Sequence, residues 1–326
     1  MGSGRVVYLS GKFVPEEEAK ISIYDSALMF GDMVFEMTRS FRKKQFKLVE
    51  HLKRLYYGIK ILRIPIDMSF KEMEKICYET IDRNGPAFAK HDEHRLMINV
   101  SRGPLGIYAP IFGGKIKPTV AIADFPLKWT VAYMGPLFDT GINAVITSQR
   151  AIPSYLLEPK IKNRSRIHYQ MANIEASLVK GDNVWALLLD PDGFIAEGTG
   201  DNFFIVKDKA VITPEGRNIL RGISRDYVFE ICKQVGIKCI EKNIETYDVY
   251  TADEAFMTGT PFCILPVTQL NGLDIGDGKM GKVTKKLLNT WSDNVGIDII
   301  EQIRSYGKEC AQLIKSNAPT PYQFKR

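Results

Sequence analysis

Residues 194–204 read F-I-A-E-G-T-G-D-N-F-F, and this stretch says more about the fold than any other. Apolar residues flank a single carboxylate, Glu197, so the segment predicts two buried strands joined by a polar turn. Gly198 and Gly200 allow the backbone to approach a ligand closely. A dinucleotide-binding loop is a poor match, because Phe203 stands where the third glycine belongs and no βαβ unit precedes it. By itself the segment is more typical of a solvated hairpin end.

Two later segments combine a glycine turn with polar residues in a similar way. Residues 219–226 read I-L-R-G-I-S-R-D, in which a glycine turn opens directly into a helix. The N–H groups at such a helix start can bind phosphate, although Ser224 as an ordinary N-cap explains the pattern without any ligand. Residues 256–261 read F-M-T-G-T-P, a strand that ends in a polar turn. Either the polar groups of that turn bind an anion, or the turn is a surface turn without a ligand.

The first half of the chain predicts two helices. Apolar residues recur every three or four positions from Leu48 to Leu62, which indicates a helix with one buried face. Arg54 lies on this helix and is either solvated or directed at an anion such as phosphate, which suits its fork of donors. Ser69 with Glu72 predicts a capping box at the start of the second helix.

The second half alternates short strands and helices, so the pattern indicates a mixed α/β (α+β) protein with two domains. We expect a small N-terminal α/β domain over residues 1–126. A segment rich in glycine, proline and aromatic residues, 127–140, predicts an interdomain linker. A larger C-terminal domain over residues 141–326 completes the chain.

Composition narrows the class of protein. The chain has 326 residues and a formal net charge of +6 without a lysine-rich tract, so we expect no nucleic-acid partner. No stretch approaches the roughly 18 consecutive apolar residues of a membrane-spanning helix, so we expect no membrane partner. The N-terminus has no signal-peptide core and the five cysteines form no C-x-x-C pair, which favours a cytoplasmic protein with reduced thiols. The cluster H-D-E-H at 91–94 is interpreted as a solvated loop, and no metal site is predicted.

The three motifs E-G-T-G-D-N-F-F, L-R-G-I-S-R and A-D-E-A-F-M-T-G-T-P occur in an order and spacing that resembles the class IV (fold type IV) aminotransferases. That family includes branched-chain aminotransferases, D-amino-acid transaminases, (R)-selective amine transaminases and aminodeoxychorismate lyases. The resemblance runs from about Tyr8 to about Trp291. It implies a C-terminal pseudo-barrel, a homodimer, and an active site at the domain and subunit interface.

The resemblance also implies pyridoxal 5′-phosphate as cofactor, bound to Lys162 as a Schiff base. Lys162 precedes Glu197 by 35 positions, and the family's lysine precedes its E-G-x-G glutamate by somewhat over thirty. Lys160 is the rival, and spacing alone does not separate the two. Glu197 is expected to pair with the pyridine nitrogen. Further cofactor contacts are implied for a set of phosphate-binding and ring-supporting residues: Arg54, Asn202, Gly222, Ile223, Ser224 and Thr260.

Substrate contacts are less specific. The residues expected to line the pocket are Phe35, Arg39, Arg95, Tyr169, Pro261 and Phe262. Arg102 is a further candidate for binding a carboxylate. Branched-chain enzymes usually have a tyrosine five residues after the lysine, where this chain has Ile167, so Tyr169 or Tyr155 would have to replace it. Arg166 is also unusual at its position.

Four functions are compatible with these motifs. The leading hypothesis is a transaminase that moves an amino group from a hydrophobic, branched-chain-like amino acid to a 2-oxo acid such as 2-oxoglutarate; Phe35 and the Pro266-Val267 pair favour it. The context P-x-I-K-N around Lys162 favours a D-amino-acid or (R)-amine transaminase instead. An aminodeoxychorismate lyase-type β-elimination is the third hypothesis. A cofactor-binding module without turnover is the fourth, and the presence of lysine, glutamate and phosphate-binding groups together disfavours it.

Overall fold

The computed structural model describes residues 4–311, which separate into two compact units. The first unit contains the residues up to Leu127 and the short segment Ile161–Arg166, and the second contains Lys128–Lys160 and the residues from Ile167 onward. The predicted C-terminal domain, residues 141–326, differs from the second unit in two respects: residues 128–140 belong to the second unit, and the segment that carries Lys162 belongs to the first. The C-terminal end of that predicted domain, from residue 312, lies outside the described residues.

The first unit is an antiparallel sheet with two long helices. Its strands are β1 (Val6–Leu9), β2 (Lys12–Pro15), β3 (Met33–Met37), β4 (Ser40–Phe41), β5 (Lys44–Gln45), β6 (His94–Ser101) and β7 (Thr119–Pro126). Its helices are α1 (Ser26–Phe30), α2 (Leu48–Ile61) and α3 (Phe70–Asn84). Five strands form the main sheet in the order β2-β1-β7-β6-β3, while β4 and β5 form a separate hairpin.

Helices α2 and α3 form because their apolar residues recur at helical spacing, as predicted. The capping box at the start of α3 is present: Ser69 accepts from the backbone of Glu72, whose side chain accepts in return from the backbone of Ser69. The buried face of α2 packs with α3 and the sheet in one core, whose members include Leu52, Leu55 and Ile98. This core covers one face of the sheet.

The opposite face of the sheet is polar in its middle. Side chains alternate between faces along a strand, and β7 shows this directly with alternating buried and half-buried residues. Phe35 on β3 pairs with Asn99 on β6, so their side chains share a face. Arg95 on β6 lies on that same face by the period of two. Val34 and Val100, which also pair, point into the core instead.

The second unit is built around a closed barrel. Its strands are β8 (Ile142–Arg150), β9 (Val184–Leu189), β10 (Ile195–Gly198), β11 (Asn202–Lys207), β12 (Ala210–Thr213), β13 (Cys239–Glu241), β14 (Glu254–Gly259), β15 (Cys263–Leu270) and β16 (Leu273–Asp274). Its helices are α4 (Lys128–Val131), α5 (Leu137–Thr140), α6 (Ile167–Ser177), α7 (Ile223–Gln234), α8 (Thr246–Tyr250), α9 (Lys282–Val295) and α10 (Ile299–Glu309).

The barrel closes because β10 has two neighbours. The order is β10-β9-β8-β15-β14-β11, and β10 also pairs with β11 through Glu197 and Asn202. The ring of six strands confirms the predicted barrel-like sheet, and β12 and β13 extend it outside the ring. Glu197 and Asn202, which close the barrel, therefore both belong to the segment 194–204.

Residues 128–140, in the predicted interdomain linker, form short helices. Val131, Met134, Leu137 and Phe138 are buried, which ties the segment into the second unit. Helix α10 packs against it closely, since a Cβ on Gly307 would lie 2.8 Å from the carbonyl oxygen of Ala132. Among residues 4–311, no helix combines the length and apolar character needed to cross a membrane.

Candidate active site

Lys162 lies on a short extended segment that adds to the edge of the five-stranded sheet. The Phe35 amide donates to the Lys162 carbonyl at 2.9 Å, and the Arg164 amide donates to the Met33 carbonyl at 2.9 Å. Val34 and Asn163 form the bridge between these two bonds. The pairing places Lys162 and Arg164 on the face of the sheet that carries Phe35. The backbone of the lysine is therefore held by the first unit itself.

The apolar neighbours of this segment explain why it docks there. Ile161 is buried in the core beneath the sheet. Gly58 on α2 makes room for it, because a Cβ at that position would lie 2.9 Å from Val34 Cγ1 and 3.4 Å from Ile161 Cγ2. Burying one isoleucine of this size contributes roughly 1.5–3 kcal/mol, so Ile161 anchors the residue that follows it.

Three cations surround the ring of Phe35. Lys162 Nζ lies 4.8 Å from the ring centroid, and the guanidinium carbons of Arg164 and Arg166 lie 3.7 Å and 5.6 Å from it. Arg164 donates from Nε and Nη2 to Oδ1 of Asn99, at 3.2 Å and 2.8 Å. Burial, and then the charge of Arg166, lowers the pKa of Arg164 to about 10. This face is suited to a negatively charged ligand.

On the helix-covered face, Arg54 forms a buried ion pair with Glu36. Arg54 donates to the two carboxylate oxygens at 2.6 Å and 2.8 Å, and His51 Nδ1 lies 2.7 Å from one of them. Burial alone would raise the pKa of Glu36, but the charges and hydrogen bonds of Arg54 and His51 outweigh it and lower the pKa to about 2. Burial also lowers the pKa of His51. The pair fixes the plane of the Arg54 guanidinium.

In the second unit, Glu197 is 4% exposed and accepts three hydrogen bonds. Tyr169 donates its hydroxyl to Oε1 at 2.8 Å, while the Asn202 side-chain amide and the Leu220 backbone amide each donate to Oε2 at 3.1 Å. Asn202 also donates to the Leu220 carbonyl at 2.9 Å. Three donors converging on one buried carboxylate hold it in a single orientation.

Helix α7 begins beside this carboxylate, and its first turn has no side-chain cap. Gly222 is the N-cap residue, so Ile223 and Ser224 are the first two helical residues and their amides have no acceptor within the helix. The expectation that Ser224 is the N-cap is therefore wrong. A Cβ on Gly222 would lie 2.2 Å from Asn202 Oδ1, so only glycine allows the helix to start this close to Asn202.

The turn between β14 and β15 contains the third motif. Thr258 is buried and donates to the Cys263 carbonyl at 2.6 Å, while Thr260 and Pro261 are half-buried. Phe262 is buried within the second unit, where it packs against Trp185 with ring centroids 5.9 Å apart. Thr260 and Pro261 are thus the partly accessible residues of the turn, and Phe262 packs in the interior of the second unit.

One known protein family matches most of this chain. The family model for class IV amino-transferases matches residues 33–270. The chain belongs to the class IV aminotransferase family. This confirms the predicted family and the predicted class of enzyme.

Three relatives illustrate the similarity. A Methanocaldococcus jannaschii protein with a provisional assignment as a branched-chain-amino-acid aminotransferase is 38% identical over 88% of this chain and 95% of its own length. The crystal structure of the Escherichia coli branched-chain amino acid aminotransferase matches with a TM-score of 0.78, 28% identity and coverage of 89% and 94%. The T.th. branched-chain amino acid aminotransferase complexed with N-(5′-phosphopyridoxyl)-L-glutamate matches with a TM-score of 0.78, 29% identity and coverage of 91% and 96%.

Lys160, the rival lysine, has other partners in this member of the class IV aminotransferases. Its Nζ lies 2.6 Å from Glu158 and donates to the Arg217 carbonyl at 3.0 Å, all within the second unit. Lys162, in contrast, lies over the ring of Phe35 in the first unit. The two lysines therefore differ in surroundings although they are two positions apart.

The three arginines considered for carboxylate binding lie apart from one another. Arg39 is fully buried and stacks on Phe41, with its guanidinium carbon 3.8 Å from the ring centroid. Arg102 forms an ion pair with Asp32 at 2.8 Å. Only Arg95 shares the sheet face of Phe35, and it lies four residues along β6 from Asn99. At a rise of 3.2–3.4 Å per residue, Arg95 therefore lies roughly 13 Å from Asn99 along the strand.

The charged cluster at 91–94 is not the solvated loop that the sequence predicts. Asp92, Glu93 and His94 are buried and only His91 is exposed. His94 opens β6 and its Nδ1 lies 2.8 Å from Asp124, while Glu93 accepts from backbone amides of the β4–β5 hairpin. These polar residues are buried because each finds a partner in the fold.

Sequence reasoning misses two functional arrangements. It offers Tyr169 for the cofactor oxygen or the substrate, and the structure places the Tyr169 hydroxyl on Glu197. Ile167 and Tyr155 are both exposed. Arg164 is not among the residues proposed from the sequence, which gives no strand over 161–166. A strand interpretation of 161–166 would have put Arg164 on the face of Lys162.

Proposed function

We propose that this protein is a pyridoxal-phosphate-dependent transaminase that transfers an amino group from a branched-chain amino acid to a 2-oxo acid such as 2-oxoglutarate. The observation that carries the proposal is Lys162, held by strand pairing beside Phe35 in a chain whose relatives bear branched-chain aminotransferase names. Pyridoxal 5′-phosphate is the cofactor, and a relative's complex with a phosphopyridoxyl-glutamate supports it.

The residues present suit this cofactor chemically. Gly222 lets α7 begin directly against Asn202, and no side chain caps the helix amides that follow it. Amides at a helix start bind phosphate through their N–H groups and the helix dipole. Glu197 is a buried carboxylate that suits a protonated pyridine nitrogen, and Arg54 supplies a planar cation that suits phosphate oxygens. Lys162 supplies the amine. We therefore assign these four groups as the cofactor-binding set, together with Ile223, Ser224 and Thr260.

When bound, the cofactor supplies a ring that accepts electron density from the substrate carbon. The protein supplies proton transfer and orientation. Lys162 would move the proton between the α carbon of the amino donor and the cofactor's aldehyde carbon, because it supplies the amine on the sheet face that carries Phe35. Glu197 holds the proton at the ring nitrogen, and Tyr169, Asn202 and the Leu220 amide keep that carboxylate in place.

On this otherwise polar and cationic face, Phe35 supplies an apolar ring that the hydrophobic side chain of a donor can contact. Met37 lies two residues along the same strand. A pocket of this kind discriminates one methylene by about 1–3 kcal/mol, so leucine, isoleucine and valine are accepted together and small polar amino acids are disfavoured.

We further propose a cytoplasmic homodimer. The first unit exposes a group of apolar side chains on and near α1 and on the segment 106–112: Ile23, Leu28, Phe30, Ile107 and Ile111. Tyr24 and Tyr108 join these two segments with ring centroids 4.7 Å apart. Contiguous exposed apolar surface of this kind marks an interaction site. Light scattering on the purified protein is expected to give the mass of two chains, and a monomeric mass would refute this part.

The test of the proposed function uses the two neighbouring lysines. The wild type is expected to be yellow with pyridoxal phosphate, to form glutamate from L-leucine and 2-oxoglutarate, and to retain the cofactor on Lys162 after borohydride reduction. Lys162→Ala is expected to lose turnover and trapping, whereas Lys160→Ala retains both. Trapping on Lys160, or activity with D-alanine or (R)-1-phenylethylamine but not with L-leucine, would overturn the proposal.

A further inference from the structure

The second unit contains a cavity with a highly charged lining, referred to below as the charged cavity. It has a volume of about 810 Å³ and lies between the turn after β12, the start of α7 and the end of β13. Of the described residues that line it, four are cationic, three are acidic and one is Gly216. Cavities of roughly 300–1,000 Å³ commonly bind small molecules, usually through apolar walls. The charged walls of this one indicate a polar ligand instead.

Two arginines of the charged cavity are held in place by the fold. Arg225 is 3% exposed, and its Nη2 donates to the Pro214 carbonyl at 2.9 Å and to Glu241. Its Nε is buried and has no hydrogen-bond partner in the part of the chain that the structure describes. Arg221 lies against the turn, because a Cβ on Gly216 would be only 3.1 Å from its Nε. Cations that are already oriented bind an anion with little loss of side-chain freedom.

The other two cations are more accessible to solvent. The side chain of Arg217 is 53% exposed, and its nearest nitrogen lies 3.7 Å from a carboxylate oxygen of Asp192. Lys160 is 29% exposed at its side chain and donates to the Arg217 carbonyl at 3.0 Å. An exposed ion pair as long as that between Arg217 and Asp192 is weak. The guanidinium of Arg217 can therefore turn toward a ligand at small cost.

The balance of charges indicates which ligand fits. Four cations face three carboxylates, so the lining carries a small positive excess that favours an anion. The planar fork of an arginine matches the oxygens of a phosphate group. The carboxylates of Glu215, Asp226 and Glu241 would repel a second phosphate, but they accept hydrogen bonds from hydroxyl groups. A molecule with one phosphate and several hydroxyl groups satisfies both kinds of wall.

The charged cavity shares the start of α7 with the residues assigned to the cofactor. Arg221 and Asp226 line the cavity, and Ile223 and Ser224 lie between them in the chain. The amides of Ile223 and Ser224 are not part of the described lining. A ligand in the cavity therefore contacts the same helix turn through different groups. Two ligands that contact one structural element are coupled when either of them displaces it.

We propose that the charged cavity binds a small phosphomonoester that carries hydroxyl groups, such as a sugar phosphate, and that its occupancy alters the affinity for the cofactor through α7. Arg217 and Arg221 bind the phosphate, while Glu215 and Asp226 accept from the hydroxyl groups. Binding of the phosphomonoester is independent of the proposed transaminase function. The effect on the cofactor rests on that function.

The binding test uses protein saturated with pyridoxal phosphate, so that the phosphate of the probe cannot occupy the cofactor's own site. Calorimetry measures the affinities for glucose 6-phosphate, glycerol 3-phosphate, inorganic phosphate and glucose. In wild type we expect at least one phosphomonoester to bind at least tenfold more tightly than inorganic phosphate or glucose. Arg217→Gln and Arg221→Gln are each expected to weaken that binding at least tenfold, because each removes a charged donor to the phosphate.

Arg304→Gln is the matched control. Arg304 is another partly exposed arginine of the second unit, and it pairs with Asp139 and Glu301 outside the charged cavity. This variant is expected to bind the phosphomonoester as wild type does. The inference fails if wild type binds neither phosphomonoester at millimolar concentration, or binds inorganic phosphate equally well. It also fails if Arg217→Gln and Arg221→Gln, with unchanged circular dichroism spectra, bind the phosphomonoester as tightly as wild type.

The effect on the cofactor is measured separately. Fluorescence titration gives the dissociation constant of pyridoxal phosphate with and without the phosphomonoester. We expect it to change at least threefold in wild type and not at all in Arg217→Gln. A change that persists in Arg217→Gln would reflect competition at the cofactor's phosphate site and would overturn the coupling, as would an unchanged constant in wild type. If the proposed function is wrong, wild type binds no pyridoxal phosphate, and calorimetry on the same protein still decides whether the charged cavity binds a phosphomonoester.

Discussion

The ion pair between Glu36 and Arg54 gives a sharp test of how this protein is stabilised. Glu36 is completely buried and meets Arg54 through two hydrogen bonds and His51 through a third. Glu36→Gln keeps the shape of the side chain and removes its charge, so Arg54, which is 12% exposed, loses its counter-charge. Removing one partner of a buried pair typically costs about 3–5 kcal/mol.

The pKa of Glu36 leads to a similar magnitude. Its value falls from 4.5 to about 2 on folding, and a difference of one in pKa corresponds to about 1.4 kcal/mol. The ionised carboxylate therefore contributes about 3 kcal/mol to the free energy of unfolding at neutral pH. We expect Glu36→Gln to be less stable than wild type by about 3 kcal/mol in urea unfolding at pH 7, followed by circular dichroism.

The same reasoning predicts a pH dependence with a definite sign. Because the folded pKa of Glu36 is lower than the unfolded one, its contribution is complete above about pH 4.5 and is lost as the pH falls toward about 2. The difference in stability between wild type and Glu36→Gln should therefore be constant from pH 7 to pH 5 and shrink below that.

Glu79→Gln provides the matched control. Glu79 pairs with Arg83 on the surface of α3 in an i,i+4 arrangement, and its side chain is 37% exposed. Exposed pairs of this type contribute about 0.3–0.5 kcal/mol, so the control should be nearly as stable as wild type. A loss below 1 kcal/mol for Glu36→Gln, or a difference that does not shrink in acid, would refute the reasoning.

Two further predictions concern the cofactor-binding residues. Gly222→Ala is expected to weaken pyridoxal phosphate binding at least tenfold and to leave the circular dichroism spectrum unchanged. The reason is that the added Cβ would lie 2.2 Å from Asn202 Oδ1 and displace the start of α7. An unchanged dissociation constant would contradict the role of this helix start. Tyr169→Phe removes the hydrogen bond that the tyrosine hydroxyl donates to Glu197, and such a bond contributes about 0.5–1.5 kcal/mol. The transamination rate should therefore fall up to about tenfold, and the pH midpoint of the bound cofactor's absorbance should move. A midpoint identical to that of wild type would mean that the tyrosine does not position the carboxylate.

Local pattern is sufficient for the elements that form through periodicity and capping. The spacing of leucines predicts α2, and Ser69 with Glu72 predicts the start of α3, because a helix is stabilised mainly by contacts three and four residues apart. The three motifs also identify the family, because their order and spacing resemble those of the class IV aminotransferases. Lys162 is selected by resemblance and not by its own surroundings.

Burial of polar groups is not predictable from local pattern. Asp92, Glu93 and His94 resemble a solvated loop in the sequence, yet they are buried. Their partners lie far away in the chain: His94 meets Asp124, and Glu93 accepts from the hairpin around residues 42–43. Whether a charged residue is buried depends on such distant partners, and the neighbouring sequence does not indicate them.

By itself, the sequence determined the two long helices, because these depend on short-range spacing, and its resemblance to the class IV aminotransferases identified the class of enzyme. Only the tertiary structure decided that residues 161–166 extend the sheet of the first unit, and that Glu197 and Asn202 close the barrel of the second. Both arrangements depend on the packing of several strands against one another. Strand pairing is chosen by the combined burial of many side chains, so the neighbour of Lys162 on the sheet, and with it the position of Arg164, follows from the whole fold.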